Sequence, residues 1–359
     1  MIKHTRLITT ASENPYHNLA LEELLMESNP PECCTLYLWQ NRQTVVIGQN
    51  QNAWQECRVK ELEEDGGHLA RRLSGGGAVF HDLGNLNFTF LVPRADYDVA
   101  RQTQVIQEAA ASFGLTVERS GRNDILVEGR KFSGNAFYKK GQNAYHHGTI
   151  LIDVDMSALG RYLNVQPDKL QSKGVRSVRS RVANLREFSQ AITVETMKQR
   201  LEAAFEKVYG GPVEKLREED LDQKAQKALE EKYASFQWRL GKKISFDKEI
   251  AGRFPWGGVK ICLGINGGRV EKARIFSDAM DSECFPQLEQ ALIGLPYSSA
   301  ALLQAIRPLL PQKAGELGYE MDGQMSREIQ WKCRYEDALI QPPRGVVDIH
   351  MGDYASGKR

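Results

Sequence analysis

The sequence predicts an α+β fold in two parts, with mixed, mainly antiparallel sheets and flanking helices. Short apolar runs between residues 115 and 154 are separated by Gly- and Asn-containing turns, the pattern of consecutive antiparallel strands. Helical spacing at residues 97–113 and 193–209 flanks this run. Near residue 245 the strand and helix patterns begin again, as in a second unit with its own core. Regular strand–helix alternation is absent, which excludes a doubly wound parallel sheet.

The first 65 residues predict two short helices and three strands. Residues 5–10 are typical of a strand, and residues 16–28 have apolar positions on one helical face. Turn residues at 41–43 separate residues 34–40 from residues 44–48, which predicts two strands that pair with each other. A single polar helix is expected over residues 52–65, ended by two glycines.

Residues 71–92 form the most distinctive stretch of the chain. Two arginines and a serine lead into three consecutive glycines, which lie between predicted strands. Glycine has no Cβ, so such a turn lets backbone N–H groups approach a ligand closely or form an anion-binding nest. Apolar Leu86, Phe88 and Phe90 then alternate with polar residues, which predicts a half-buried strand. On this stretch alone, a glycine-rich hairpin with two solvated arginines is an equally good interpretation.

The C-terminal part predicts a small α+β unit. The turn sequence Asn-Gly-Gly at residues 266–268 separates two apolar runs, a strong hairpin signal. Helical spacing follows at residues 285–293, 299–306 and 322–331. We therefore predict a large catalytic domain over residues 1–246 and a small accessory domain over 247–340. A poorly ordered tail is expected over 341–359.

Composition narrows the class of protein. The 359 residues carry a net charge of +1, from 47 basic and 46 acidic side chains, which argues against a nucleic-acid binder. No apolar run approaches the roughly 20 residues of a membrane span. The six cysteines include no C-x-x-C pair and the chain begins without an apolar signal core, so a reduced, cytoplasmic protein is expected.

Several short motifs accompany the glycine stretch. They are Asn-Leu-Ala-Leu-Glu-Glu at 18–23, Gly-Arg-Asn-Asp at 121–124, Gly-Arg-Lys-Phe-Ser-Gly-Asn-Ala at 129–136, His-His-Gly-Thr at 146–149, and Lys-Gly-Val-Arg-Ser-Val-Arg-Ser-Arg-Val-Ala-Asn-Leu at 173–185. In this order they resemble the lipoate–protein ligase A family over roughly residues 10–190. No single motif decides the matter, but the combination is very specific.

The resemblance implies a fold, an activity and partners. The fold is a catalytic domain of the biotin-ligase/lipoate-ligase type followed by a small accessory domain. The activity is the reaction of lipoate with Mg²⁺-ATP to lipoyl-AMP, and transfer of the lipoyl group to a lysine. The implied acceptors are lipoyl domains of 2-oxoacid dehydrogenase E2 subunits and the glycine-cleavage H protein. No nucleic-acid or membrane partner is implied, and the oligomeric state is left open with a monomer expected.

Lys131 is the candidate catalytic residue. Activation of a carboxylate by ATP needs a positive charge beside the α-phosphate, and a lysine ammonium is a compact charge that meets phosphate and carboxylate oxygens together. The resemblance gives the lysine of this motif that role. It also places ATP or adenylate contacts and lipoate contacts on two sets of residues. The first set is Arg72, Gly77, Ala78, Val79, Phe80, Asn123, Asp124, Lys131, Ser177, Arg179 and Ala183. The second set is Ser74, Gly75, Gly76, Lys131, His147 and Gly148, and Asp124 is the candidate Mg²⁺ ligand.

Each of these assignments has a structural alternative. Asn123 and Asp124 suit a turn cap as well as a nucleotide contact. His147 fits a hydrogen bond inside the sheet as well as contact with the acyl group. Since neighbouring residues of a strand point to opposite faces, His146 and His147 cannot share a metal ion. The basic loop at 172–184 suits a solvated surface, a closing loop or a docking site for an acidic domain.

Two other functions remain open from the sequence. An octanoyltransferase of related fold moves the acyl group through a cysteine thioester, which requires a reactive thiolate. No cysteine lies between residues 58 and 261, where the core motifs are found, so this rival ranks below the ligase. The second rival is a lipoyl-carrier binding protein without catalysis, against which the presence of Lys131 and Arg72 weighs.

Overall fold

The computed structural model describes residues 1–121, 123–164, 182–241, 246–254, 257–280 and 283–309. The described chain separates into two compact units. The first contains the described residues up to 241 together with residues 278–280, and the second contains residues 246–277 and 283–309. The predicted domain limit at residue 246 remains a prediction, and the predicted tail over 341–359 lies outside the described residues.

Strands and helices follow the chain in this order. The strands are β1 (His4–Thr9), β2 (Cys33–Trp39), β3 (Thr44–Ile47), β4 (His68–Arg71), β5 (Val79–His81), β6 (Asn85–Pro93), β7 (Val117–Ser120), β8 (Asp124–Val127), β9 (Arg130–Lys140), β10 (Asn143–Leu151), β11 (Glu214–Lys215), β12 (Lys248–Phe254), β13 (Gly257–Asn266) and β14 (Arg269–Ser277). The helices are α1 (Pro15–Glu27), α2 (Ala53–Glu56), α3 (Val59–Glu64), α4 (Val99–Ala111), α5 (Met156–Tyr162), α6 (Val194–Tyr209), α7 (Gln223–Ala234), α8 (Phe236–Arg239), α9 (Phe285–Leu292) and α10 (Ser299–Ile306).

An eight-stranded mixed sheet organises the first unit, in the order β11-β1-β2-β6-β10-β9-β8-β7. Strand β1 runs parallel to both of its neighbours, and the pairs from β2 to β7 are antiparallel. Helices α4 and α6 cover one face, where Phe88, Phe90 and Phe205 form part of a continuous apolar core. Helix α1 covers the other face and packs against α7. The predicted α+β class with mainly antiparallel pairing is therefore correct.

A separate three-stranded sheet, ordered β4-β3-β5, carries the glycine stretch between its outer strands. This arrangement corrects the predicted pairing of the segments 34–40 and 44–48. Strand β2 lies between β1 and β6 in the large sheet, so both of its edges are occupied. Strand β3 instead pairs in parallel with β4 and antiparallel with β5.

Strand β6 is buried on both faces, not on one as its alternation predicts. Its polar residues Asn87 and Thr89 are no more than 1% exposed. The Thr89 hydroxyl donates to a Glu22 carboxylate oxygen at 2.7 Å and accepts from Trp39 Nε1 at 3.1 Å. Thr89 thus belongs to a hydrogen-bonded layer under α1, in agreement with the rule that buried polar groups have partners.

The helix predicted over residues 52–65 is two helices. Cys57 adopts an extended conformation between α2 and α3 and forms a β-bridge with Leu163. The backbone N–H of Arg58 donates to the Tyr162 carbonyl at 2.9 Å, so a pairing with the end of α5 interrupts the helix.

The second unit is a three-stranded antiparallel sheet, β12-β13-β14, followed by α9 and α10. The predicted hairpin is correct, since Gly267 and Gly268 both have positive φ between β13 and β14. The helix predicted over 322–331 lies outside the described residues. Within the described chain, no helix has the length and apolar character required to cross a membrane.

Candidate functional site

The glycine stretch joins β4 to β5 and packs against the segment 278–280. A Cβ on Gly75 would lie 2.3 Å from the carbonyl oxygen of Ala279, which only glycine permits. Gly76 has φ +91° and its N–H donates to the same Ala279 carbonyl at 3.0 Å. Gly77 has nothing within 4 Å of the corresponding position. Two of the three glycines therefore accommodate the segment 278–280, and Gly77 alone presents open backbone.

Both arginines before the glycines are buried, which contradicts the interpretation as a hairpin with solvated arginines. The Arg71 guanidinium donates to five backbone carbonyls at 2.7–3.2 Å. Three acceptors belong to residues 48, 49 and 51, and two belong to Trp238 and Arg239 of α8. Arg71 thus fixes α8 against the loop that follows β3.

Arg72 holds the glycine stretch itself. Its guanidinium donates to the carbonyls of Val46, Gly75 and Gly77 and to the Ser74 hydroxyl, at 2.7–3.2 Å. Burial lowers the pKa of Arg72 to about 10, and the group stays charged at neutral pH. It also lines the cavity described below.

A buried polar chain continues from Arg72 into the large sheet. Ser74 Oγ lies 2.8 Å from His147 Nε2, and His147 Nδ1 lies 2.8 Å from a Glu22 carboxylate oxygen. Ser74, His147 and Glu22 are each no more than 6% exposed. Among the described residues, neither Arg72 nor Glu22 has an ion pair with an oppositely charged Asp, Glu, Lys or Arg. The serine and the imidazole therefore link a buried cation to a buried anion.

Lys131 extends from β9, and its ammonium pairs with Asp124 at 2.6 Å. Both side chains are 33% exposed, so the pair lies at the rim of the site. Gly134 makes room for the ammonium, since a Cβ there would lie 2.9 Å from Lys131 Nζ. Buried Ala183 donates its N–H to the Lys131 carbonyl at 2.9 Å, which ties residues 182–183 to this strand.

A cavity of about 180 Å³ lies between the two sheets of the first unit and connects these groups. Nine predicted site residues line it: Arg72, Gly76, Gly77, Ala78, Val79, Asn123, Lys131, His147 and Gly148. Five others lie next to it or behind it. Ser74 and Gly75 are in the buried loop, Asp124 pairs with Lys131, Phe80 packs against Tyr162 and Ala183 is in the core. Ser177 and Arg179, with most of the basic loop, lie outside the described residues.

The cavity also has walls that the sequence analysis missed. Leu19, Trp39 and Val46 give it an apolar side, and Met280 of the segment 278–280 adds a thioether. Leu19 could have been suspected, since it belongs to a motif that carries the resemblance. Met280 gives no such signal, because it lies far from the other wall residues in the chain.

Two buried nitrogens at the cavity have no hydrogen-bond partner among the described residues. They are His81 Nε2 and Asn87 Nδ2. His81 Nδ1 lies 3.2 Å from Asn41 Nδ2, and burial lowers the pKa of His81 to about 3, so its ring is neutral. Only one of the two ring nitrogens of His81 therefore has a hydrogen-bond partner among the described residues. An unpaired buried polar atom is costly, and a ligand or water in the cavity would relieve it.

The geometry can be compared with known proteins. The family model described as the lipoyl protein ligase A/B catalytic domain matches residues 14–206. A second model, the bacterial lipoate protein ligase C-terminus, matches residues 243–315. The lipoate-protein ligase A of Psychrobacter cryohalolentis is 42% identical over 302 residues, which cover 81% of this chain and 88% of that protein. The chain belongs to the lipoate–protein ligase A family.

Solved structures agree with this family. A crystal structure of P. falciparum LipL1 in complex with lipoate has 27% sequence identity and a TM-score of 0.78, over 94% of this chain and 99% of that one. A lipoate-protein ligase A bound with ATP has 23% identity and a TM-score of 0.56, over 67% of this chain and 99% of that one, and this likeness concerns the fold alone. The predicted family and the lipoate-ligase type of α+β fold are confirmed.

Proposed function

We propose that this member of the lipoate–protein ligase family activates lipoate with ATP and transfers the lipoyl group to a lysine of an acceptor domain. One observation carries the proposal most directly. The Lys131 ammonium lies at the rim of a partly apolar cavity, across which a braced glycine loop presents the open backbone of Gly77. A positive charge, a backbone surface for phosphates and an apolar pocket are what acid adenylation requires.

In the first step, a lipoate carboxylate oxygen attacks the α-phosphorus of ATP and pyrophosphate leaves. Lys131 would neutralise the negative charge that builds up between the two reactants. The backbone from Gly77 through Val79 would lie against the nucleotide, with Phe80 supporting it from the core. Arg72 would meet the phosphates, and Ser177, Arg179 and Ala183 belong to the predicted adenylate contacts.

The acyl chain of the acid would lie in the cavity against the side formed by Leu19, Trp39 and Val46. This wall is apolar, as a saturated chain requires. Ser74, Gly75, Gly76, His147 and Gly148 are the predicted lipoate contacts on its other side. The cavity volume is about 180 Å³, below the roughly 300 Å³ at which ligand pockets usually begin. The cavity is therefore too small to enclose the acid and the nucleotide together, and we assign it to the acid.

Mg²⁺ would be held by Asp124 together with the nucleotide. A single protein carboxylate fits this ion, which usually keeps several waters and binds through one or two carboxylates plus substrate phosphates. When bound, the ion would neutralise phosphate charge. The carboxylate pairs with Lys131 at 2.6 Å, so a cation at Asp124 would compete with the ammonium and leave Lys131 available for the substrates.

In the second step, the ε-amine of an acceptor lysine attacks the carbonyl carbon of lipoyl-AMP. An amide bond forms, the amine loses a proton and AMP leaves. We propose lipoyl domains of E2 subunits and the glycine-cleavage H protein as acceptors. A T. acidophilum structure of a bi-partite lipoate protein ligase and its E2 lipoyl domain covers 68% of this chain at 24% identity. We also propose a cytoplasmic location, where such acceptors and reduced cysteines occur together.

The thioester rival is disfavoured by the described cysteines. All five, Cys33, Cys34, Cys57, Cys262 and Cys284, are buried. Burial raises the pKa of Cys57 to about 12 and that of Cys262 to about 11, and it raises the pKa of Cys34 further. A nucleophilic cysteine needs a lowered pKa instead. Cys333 lies outside the described residues.

ATP–pyrophosphate exchange without any acceptor protein tests the proposal. We expect exchange that depends on lipoate and Mg²⁺, and an unchanged intact protein mass under denaturing conditions. A hydroxylamine-sensitive mass increase equal to one acyl group would instead establish the thioester mechanism. Nucleotide and lipoyl-domain binding without exchange would support the non-catalytic binder.

A further inference from the structure

Two consecutive histidines of β10 point to opposite faces of the large sheet and enter two different polar chains. His147 reaches Ser74 and Glu22 on the side of α1. His146 reaches Gln102 of α4 at 3.1 Å and Asn135 of β9 at 2.8 Å on the opposite side. The first set of hydrogen bonds includes Ser74 and His147, which are predicted lipoate contacts. The second has no assigned role and contains no residue of the predicted site until it reaches Asn123.

His146 is a neutral connector. Its ring is completely buried and lies among Phe88, Phe90 and Phe137, with centroid distances of 4.9–6.0 Å. Burial lowers the pKa of His146 to about 3, so the imidazole carries one N–H at neutral pH. It can then donate to only one of two amide oxygens.

One hydrogen-bond pattern pairs both nitrogens of the neutral imidazole. Gln102 Nε2 has no partner among the described residues. If the Gln102 amide turns by 180°, Nε2 donates to His146 Nδ1, and His146 Nε2–H donates to Asn135 Oδ1. The chain then has one direction, from α4 through the sheet to β9. A buried chain of hydrogen bonds in which both imidazole nitrogens are paired restricts its side chains to one arrangement.

Asn135 connects this chain of hydrogen bonds to the turn that precedes Asp124. Its backbone N–H and its Nδ2 both donate to the Asn123 carbonyl, at 2.9 and 3.0 Å. Asn123 Nδ2 returns a bond to the Asn135 carbonyl at 3.0 Å. Asp124 follows directly and pairs with Lys131, so three hydrogen bonds lock the turn that holds both proposed nucleotide ligands.

We propose that Gln102, His146 and Asn135 are positioning residues for the nucleotide half of the site. They hold Asn123, Asp124 and Lys131 in the geometry that binds and activates ATP, and none of the three has been assigned a part in the reaction. The acyl half depends on the other chain and not on Gln102 or His146, whereas Asn135 also lines the cavity. This inference rests on the proposed function, since it assigns ATP to the side of Asn123 and Asp124.

His146→Phe is the main test, because phenylalanine fits an aromatic cage and removes both hydrogen bonds. We expect the KM for ATP in exchange, or the Kd of Mg²⁺-ATP by calorimetry, to rise between about 10- and 100-fold, as small misplacements of site groups do. The Kd of lipoate without nucleotide should stay within about twofold of wild type. His146→Gln supplies an amide donor and acceptor and should recover part of the ATP affinity.

Phe137→Leu is the matched control. It trims a ring 4.9 Å from the same imidazole and leaves every hydrogen bond of the chain in place. It should lower the melting temperature with little effect on ATP affinity. If Phe137→Leu and His146→Phe weaken ATP binding equally, or if His146→Phe weakens lipoate and ATP alike, His146 is only structural and the proposal is wrong.

Gln102→Leu covers the case in which His146→Phe does not fold. It removes the far end of the chain with little change of volume and should raise the Kd of Mg²⁺-ATP in the same direction. An unchanged Kd would overturn the proposal. Wild-type protein that binds ATP without lipoate-dependent exchange would contradict the proposed ligase function, while the effects of these variants on ATP binding would still decide the positioning role.

Discussion

Lys131 and Arg72 are positively charged side chains that line the same cavity, but they differ in burial and in their partners. Arg72 is buried, and most of its N–H groups brace Ser74, Gly75 and Gly77. Lys131 is one-third exposed and has a single carboxylate partner. A ligand can replace that partner without dismantling the fold, whereas removing Arg72 would release the glycine stretch. We therefore propose that the lysine acts on the substrate, whereas the arginine mainly holds the glycine stretch in place.

Lys131→Ala is the direct test at the residue scale. The change removes a preorganised positive charge where negative charge develops, which typically costs roughly 10²–10³ in rate. We expect lipoate-dependent exchange to fall by at least that factor with a melting temperature close to wild type. Lys140→Ala is the control, since Lys140 lies on the same strand and pairs with Glu27 at 2.8 Å on the surface. Equal losses in the two variants would rule out a special role for Lys131.

At the scale of elements, Arg71 explains why the short helix α8 has a fixed place. Five backbone carbonyls surround its guanidinium, and Trp238 Nε1 donates back to the Arg71 carbonyl at 2.8 Å. A four-residue helix has little stability of its own, because helix nucleation is unfavourable. The buried arginine therefore replaces the apolar contacts that a longer helix would make.

Arg71→Met should destabilise the protein, because methionine fills the space but leaves the carbonyls without donors. We expect a loss of at least about 2 kcal/mol in the free energy of unfolding, measured by urea denaturation. Proteolysis near α8 should also become faster. Arg42→Met removes an exposed arginine paired with Glu13 and should change stability by no more than about 1 kcal/mol. If Arg71→Met lowers the free energy of unfolding no more than Arg42→Met does, Arg71 does not hold α8 in place.

The contact between the glycine stretch and the segment 278–280 yields another prediction at this scale. In Gly75→Ala, the new Cβ would meet the Ala279 carbonyl at 2.3 Å, and a backbone atom must move. We expect the Gly76 N–H, which donates to Ala279, to exchange with solvent deuterium faster than in wild type. Gly77→Ala meets open space and should leave that protection unchanged. Unaltered exchange in Gly75→Ala would show that the segment does not depend on this glycine.

For the molecule as a whole, the sequence predicted what depends on local periodicity and on short motifs. It identified the α+β class, the C-terminal hairpin, the glycine stretch and Lys131 on a strand. It failed where distant segments decide the structure. The pairing of β3 follows from an occupied edge on β2, and the burial of Thr89 follows from Glu22 on another element. Met280 reaches the cavity from far along the chain. Spacing in one segment contains no information about such partners.

The two neutral buried histidines predict how the stability of the whole molecule depends on pH. Burial lowers the pKa of both His81 and His146 to about 3, whereas an unfolded histidine titrates near 6.5. Below about pH 6.5 the unfolded chain therefore binds more protons than the native protein, and stability falls as the pH decreases toward 3. Each histidine contributes at most about 1.4 kcal/mol per pH unit in that window.

Urea unfolding between pH 7.5 and 5.5 measures this effect above the range in which ordinary carboxylates titrate. Burial raises the pKa of Asp82 and Glu289, which favours the native state as the pH falls and opposes the histidine effect. We expect a net loss of stability toward pH 5.5 in the wild type. The pKa of His68 is also lowered by burial, so that histidine acts in the same direction. His146→Phe removes one of these groups and should flatten the curve, because the variant has one fewer site that gains a proton on unfolding. A slope identical to wild type in this variant would mean that His146 binds protons equally in the native and unfolded states, and its role as a buried neutral connector would then be wrong.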